Sequence, residues 1–468
     1  MDYRLRFTAR QHDMLRRHLF CGDGRESAAL VLCGRAAASD ADSLCARRII
    51  EIPNDACVER TENRVIWPSR FIDAVLPEVA RRGLAILKVH SHPAGYPAFS
   101  TFDDTADRSF LGSVHSVLED GRPHGSAVML PDGRVFARVV KADGSFGHVR
   151  VVSDVGDDLR LWHAESDCSL PEFVQRHAQA FGEGTVQTLR RMAIAVVGCS
   201  GTGSPLIEQL VRLGIGRLVL IDPDRVENRN LNRINFSTAA DATARRFKVD
   251  IIQEAIARIG VGTEVVVFAH DLGTPDAVRA VAQCDVAFGC VDSWYGRDLL
   301  NRLATFYLLP YIDVGVQLRA LPGGGIDQIN GAVHYIQPGR SSLVSRKVYD
   351  FEDVRAEMLR REDPDEYARR LKEKYIKGVQ EDRPAVISVN TQLAAMAVNE
   401  LLARVHPFRY ERNEEFAAQV MALHEGYLFR RAESTFPPCT VLVPHVGRGD
   451  TVPLLDKPEL TEPVASHG

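Results

Sequence analysis

Apolar residues along this chain recur at two spacings, every second position and every third or fourth, the periods of strand and helix. Thr8 stands ahead of Met14, Leu15 and Leu19 and predicts a capped first helix. Apolar runs of strand length follow in ESAALVLCGR, opened by Glu26, in RRIIEIP and in LAILKVH. Ser69 predicts the start of a helix burying Phe71, Ile72, Val75 and Val79, with Pro77 near its middle. From Met192 the pattern becomes strand, turn, helix, strand. Ala193 to Val197 is apolar, and Gly198, Gly201 and Gly203 punctuate a turn. Leu206, Ile207, Leu210, Val211 and Leu213 share a helix face, and residues 218–221 form a second apolar strand ending at Asp222. This is a βαβ unit with a turn suited to phosphate, where backbone approaches closely and a helix N-terminus offers free N–H groups. Further elements are a helix over 245–259, a strand in DVAFGC and another in PYIDVGVQ. Two charged helical pieces split near Pro364, and a long helix spans VISVNTQLAAMAVNELLARV.

Composition narrows the class. A chain of 468 residues with 45% hydrophobic residues holds two or three domains, and a formal net charge of -5 gives no general attraction to nucleic acid or anionic membrane. No apolar run reaches membrane-spanning length, and the N-terminus lacks a signal-peptide core. Nine scattered cysteines do not form a disulfide framework, so a cytoplasmic setting is expected.

The strand LAILKVH ends in His90-Ser91-His92-Pro93, followed by Ser100 and Asp103. Histidines at i and i+2 on a strand share one face. Two imidazoles and a carboxylate supply three ligands for a hydrolytic zinc and leave a position for water. Glu26 is the candidate proton acceptor and Ser100 the candidate oxyanion stabiliser. The HxHP-x6-S-x-x-D spacing resembles the JAMM/JAB zinc isopeptidases, over about residues 5–145. The alternative reading of the same residues is a structural histidine pair and a helix-capping Ser/Asp.

After Asp222 the chain reads PDRVENRNLNR, then Lys248 in ARRFKVD and Asp292 in GCVDSWYGR. This resembles the E1-like (ThiF/MoeB/ubiquitin-activating) adenylating enzymes from about residue 174 to the low 400s. The resemblance implies ATP and magnesium as cofactors. It implies a phosphate cradle of Gly198, Gly201 and Gly203, and Asp222 on the ribose. Asp224 would be a second carboxylate or the cap of its own turn. Asn230, Arg233 and Lys248 would contact phosphates, and Asp292 would hold magnesium. Arg176, in PEFVQRHAQAF, would reach the ATP site of a homodimer partner, the alternative being a surface arginine. Ser200 stands where the family often has another glycine.

The expected fold class is therefore α/β. A JAB-type metallopeptidase domain (1–145) precedes a linker (146–172), a Rossmann-like adenylation domain (173–440) and a tail (441–468). The implied function is ATP-dependent C-terminal adenylation of a ubiquitin-like protein ending in Gly, joined to zinc-dependent processing or deconjugation of that protein. An E2-like partner is a further possibility, and neither nucleic acid nor membrane is expected. Sulfur-carrier activation and a non-catalytic ubiquitin-like-binding scaffold remain open as alternatives, as does a nicotinamide enzyme. The family's zinc-binding CxxC pairs are missing: Ser342 and Ser345 have the spacing without thiols, and Cys439 has Leu442 three residues on. No zinc is expected in that domain. Cys439, Ser342 and Ser345 are the candidates for a covalent acceptor.

Overall fold

The computed structural model describes residues 2–37, 41–164, 169–321, 323–372 and 385–461. The backbone divides into two compact units. The first takes most of residues 1–167 with 306–308 and 445–451, and the second takes most of the rest.

In the first unit eight strands form one sheet, in the order Asp2–Thr8, Ala41–Glu51, Ala28–Ala36, Ala85–Ser91, His124–Met129, Val135–Val140, Phe146–Val155 and Leu159–His163. Asp2–Thr8 also pairs with Phe146–Val155, so the sheet curls back on itself. Thr8 caps the helix Ala9–Leu19 in a reciprocal box with Gln11, as its spacing predicts. Ala85–Ser91 and His124–Met129 run parallel, which requires a crossover, and the helix Thr101–Leu118 provides it. That crossover carries Asp103 to the end of the strand bearing His90.

Three local expectations change. The single helix expected after Ser69 is two, Arg70–Asp73 and Leu76–Arg82, because Pro77 is accommodated only in a first turn. Residues 146–163, expected to be linker, are two strands of this sheet, with Val149, Val151, Val152 and Val155 buried among the polar residues. Residues 445–451, read as loose tail, group with this unit: Gly34 N–H donates to Gly447 O at 3.1 Å, and Asp450 N–H to Arg35 O at 2.6 Å.

The second unit is built on another eight-stranded sheet. Five parallel strands come first, in the order Glu264–Phe268, Arg217–Ile221, Ala193–Val197, Val286–Gly289 and Tyr311–Ala320. Ile326–Ile336, Ala418–Ala422 and Tyr427–Arg431 extend it antiparallel. Strand order reverses between Ala193–Val197 and Val286–Gly289, and the crevice beyond their carboxyl ends is where such sheets bind ligands. The helix Lys248–Ile259 begins later than 245, since Arg245 adopts φ 49°. The charged stretch forms Phe351–Glu362 and Pro364–Lys372, divided at Pro364; its continuation lies outside the described residues. No helix among the described residues is long and apolar enough to cross a membrane.

Candidate active sites

In the first unit the strand Ala85–Ser91 delivers His90, and the backbone beyond it His92. Both are buried, with their Nε2 atoms 3.2 Å apart. Asp103 lies 3.0 Å from His90 Nε2 through Oδ1 and 3.6 Å from His92 Nε2 through Oδ2. His92 Nδ1 lies 2.8 Å from Tyr96 O. A proton on Nδ1 satisfies that carbonyl and leaves the Nε2 lone pair facing the cluster. Burial alone would raise the Asp103 carboxyl, but the adjoining His90 and His92 imidazoles hold it well below the usual carboxylate range.

Glu26 precedes the strand Ala28–Ala36 and joins the same cluster: ligand atoms of Glu26, His90 and His92 all lie within 4.8 Å of one another. Burial pushes its carboxyl up to about 7, against the pull of His92 and with Asp103 adding to the rise. Its backbone is held by the small hairpin Glu59–Thr61 and Arg64–Ile66: Glu26 N–H donates to Thr61 O at 2.8 Å, and Arg60 Nε donates to Glu26 O at 2.9 Å. Arg60 carried no signal in the sequence, because its role is to place another residue's backbone.

Ser100 caps the helix Thr101–Leu118. Its hydroxyl donates to Asp103 Oδ2 at 2.7 Å and accepts from Asp103 N–H at 3.1 Å. The capping reading holds, and the capped carboxylate also faces both histidines. One carboxylate and two inward-facing imidazole nitrogens fit the donor set of a hydrolytic zinc. A cavity of about 460 Å³ opens beside them, lined by Glu26, His90 and Asp103 on one side and by Trp67, Phe102 and Phe110 on the other. Beneath it, the Lys88 ammonium pairs with buried Asp107, which also accepts from Arg138 NH2 at 2.7 Å.

In the second unit Gly198 follows its strand at φ 91°, a conformation open to glycine, and any Cβ there would strike Cys290 O of the neighbouring strand end. Asp222, 4% exposed, accepts from Cys199 N–H at 2.7 Å and from Asp224 N–H at 2.9 Å. Lys248 Nζ reaches Asp224 Oδ2 at 2.6 Å and Asp222 Oδ1 at 3.5 Å. Burial raises the Asp222 carboxyl, opposed by the Lys248 charge. Asn230 Oδ1 accepts from Glu227 N–H at 3.0 Å, which tethers the loop that also carries Arg233. Arg233 NH1 donates to Arg229 O at 2.9 Å. Burial lowers the Arg233 guanidinium, as does nearby Arg229, while the negative charge of Asp292 opposes them. Asp292 is exposed beyond the strand Val286–Gly289. Gly198, Gly201, Gly203, Asp222, Asp224, Asn230, Arg233, Lys248 and Asp292 thus belong to the loops and element ends around one reversal point. Magnesium takes one or two carboxylates and completes its shell with water and substrate phosphates, and the Asp292 carboxylate fits that donor set. Arg176 lies apart, exposed on the helix Gln175–Phe181, and makes no ion pair among the described residues.

Residues 174–441, more than half of the chain, match the ThiF family. The chain belongs to the ThiF family. Residues 8–136 match the prokaryotic homologs of the JAB domain, so a JAB domain is joined to a ThiF domain in one chain. The chain is 25% identical over 167 residues to ubiquitin-like modifier-activating enzyme 5 of Caenorhabditis elegans, covering 33% of this chain and 37% of that one. With the Bombyx mori enzyme of the same name it is 26% identical over 167 residues, covering 33% and 40%. It thus spans about two fifths of the length of these curated relatives. Among solved structures, Escherichia coli MccB with ATP superposes at TM-score 0.44 and 17% identity, covering 58% of this chain and 74% of that one.

The ThiF unit brings together the segments where CxxC pairs would stand: Cys439 N–H donates to Arg340 O at 3.1 Å. The side chains there are hydroxyls that accept from backbone, Ser345 Oγ from Ser342 N–H at 3.0 Å and Ser342 Oγ from Ser345 N–H at 3.3 Å. One buried thiol and two hydroxyls do not fit a structural zinc. Nearby, Arg346 bridges Glu433 Oε2 at 2.8 Å, Ala417 O at 2.7 Å and Tyr335 O at 2.9 Å, tying the strands to the C-terminal segment. Cys199 is fully buried and Cys439 is 2% exposed. Burial also pushes the Cys199 and Cys290 thiols up.

Proposed function

We propose that this chain activates the C-terminal carboxylate of a ubiquitin-like protein with ATP in its ThiF unit, and hydrolyses bonds to that C-terminus in its JAB unit. The carrying observation is that His90, His92, Asp103 and Glu26 converge on one point, the arrangement amide hydrolysis requires.

In the JAB unit His90, His92 and Asp103 would hold zinc, which when bound polarises a carbonyl and acidifies a water. Glu26 takes a proton from a water whose oxygen bonds to the carbonyl carbon and gives it to the amine as the C–N bond breaks, and its raised carboxyl suits both directions. Ser100 orients Asp103 as its helix cap, and its hydroxyl rotates from Asp103 Oδ2 to donate to the developing oxyanion. The apolar wall of the cavity receives substrate side chains next to the scissile bond.

In the ThiF unit a carboxylate oxygen of the substrate forms a bond to the α-phosphorus of ATP. The bond from that phosphorus to the bridging oxygen breaks, and pyrophosphate leaves with the electron pair. Gly198, Gly201 and Gly203 let backbone approach the phosphates. Asn230, Arg233 and Lys248 neutralise charge, Asp222 with Asp224 takes the ribose side, and Asp292 would hold magnesium. Arg176 comes from the partner of a homodimer. The setting that suits both reactions is a reducing cytoplasm, with an E2-like protein as one possible acceptor.

The buried thiols favour a second reading of the final step, direct transfer from the adenylate to an external nucleophile, as in sulfur-carrier activation. The test is the intact mass of the chain after incubation with MgATP and a ubiquitin-like protein ending in Gly, with Asp292→Ala as control. An Asp292-dependent adduct cleaved by thiol indicates a thioester, and one cleaved only by hydroxylamine an oxyester. Pyrophosphate release without adduct indicates direct transfer. No pyrophosphate release defeats the adenylation reading.

A further inference from the structure

The helix Ile387–Val405 starts without a side-chain cap, and Asn390 lies in its first turn. Asn390 is 4% exposed, yet its side-chain amide has no hydrogen-bond partner among the described residues. An amide so placed, without a protein partner, has its donor left for a ligand. A Cβ built on Gly201 would collide with Asn390 Nδ2 and would lie 2.9 Å from Arg233 Cδ. The missing side chain of Gly201 is therefore the gap through which this amide and the Arg233 stem reach the Gly-rich turn.

We propose that Asn390 is a nucleotide-binding residue of the ThiF unit, its Nδ2 donating to a phosphate oxygen of ATP over Gly201. The inference rests on the adenylation reading and adds to it a contact from the far side of the turn. Arg233 supplies charge there, and Asn390 supplies a directed neutral donor. Its Nδ2, which makes no hydrogen bond to the described residues, donates to phosphate when ATP binds.

The experiment is calorimetric titration of the full chain with MgATP and, separately, with adenosine, which lacks phosphate. Asn390→Ala should weaken MgATP binding about 10-fold, the worth of a hydrogen bond to a charged acceptor. Asn390→Asp, of the same shape, should weaken it further by placing a carboxylate against phosphate. Neither should change adenosine binding. If Asn390→Ala fails to fold, the isosteric Asn390→Asp carries the same comparison. Wild-type protein that binds MgATP, with variants that bind it equally well, overturns this assignment alone. Equal weakening of MgATP and adenosine also overturns it, since that is the mark of a deformed pocket. Wild-type protein blind to MgATP overturns the adenylation reading and this assignment with it.

Discussion

His90 Nε2 and His92 Nε2 stand 3.2 Å apart, and both face the carboxylate of Asp103. Two imidazole lone pairs so close to one carboxylate are best satisfied by a cation. Purified chain should therefore bind about one zinc per JAB unit, and Asp103→Ala should lose it together with hydrolysis of a ubiquitin-like isopeptide. Metal analysis by mass spectrometry alongside a cleavage assay checks this. Full zinc occupancy in Asp103→Ala would remove Asp103 from the ligand set.

Glu26 sits beside those ligands and is assigned proton transfer. Glu26→Gln should retain zinc and lower isopeptide cleavage by about 100-fold or more, the usual worth of a general base. Zinc content separates the outcomes, because loss of metal with loss of activity would make Glu26 a ligand.

Asp292 is exposed, so its carboxylate contributes little to folding. Asp292→Asn should leave the melting temperature within about a degree of wild type, since surface changes are small. Substrate-dependent ATP–pyrophosphate exchange should fall by about 100-fold. Unchanged exchange would move the magnesium site elsewhere.

Arg176 is exposed on the helix Gln175–Phe181, a position open both to a neighbouring subunit's site and to a plain surface arginine. Arg176→Ala and Asp292→Ala should each be inactive in exchange. Mixed and allowed to re-equilibrate, they should recover about a quarter of wild-type activity, because half the dimers are mixed and each has one intact site. No recovery would place Arg176 in its own subunit's site or outside catalysis.

His124 gives a pH prediction for stability. It is fully buried in the JAB unit, and its Nδ1 accepts from Ile86 N–H at 2.9 Å. Burial, with Arg35, His115 and Arg122 nearby, pushes it down to about 2. The unfolded chain therefore takes up this proton first as pH falls below about 6.5. Stability present above that value is lost progressively toward the folded one, by about 1.4 kcal/mol between pH 7.5 and 5.5. His124→Asn keeps an acceptor for Ile86, and its urea midpoint should be flatter over that range. Parallel slopes for variant and wild type would exclude His124 as the source.

Much of both sites was legible because their chemistry is local. His90 and His92 share a face at any i, i+2 strand spacing, and Ser100 with Asp103 meets the spacing of a helix cap. Glycines at 198, 201 and 203 between an apolar strand and an amphipathic helix determine a phosphate turn without knowledge of the fold. The split of the helix after Ser69 was less legible, because apolar spacing there outweighed Pro77. The strands of residues 146–163 were hidden by their polar and glycine-rich surroundings.

By itself, then, the sequence determined the two families, the candidate residue types of each site and the strand and helix ends on which most of them ride. Tertiary structure alone decided what faces what across long separations. Sheet order brought the Glu26 carboxylate to the histidines and the Arg60 hairpin to Glu26. The packing of a helix almost two hundred residues downstream laid Asn390 against Gly201. Spacing within one element is set by backbone geometry and can be read from a sequence. Juxtaposition between elements follows from which apolar faces bury each other, and no local pattern records that.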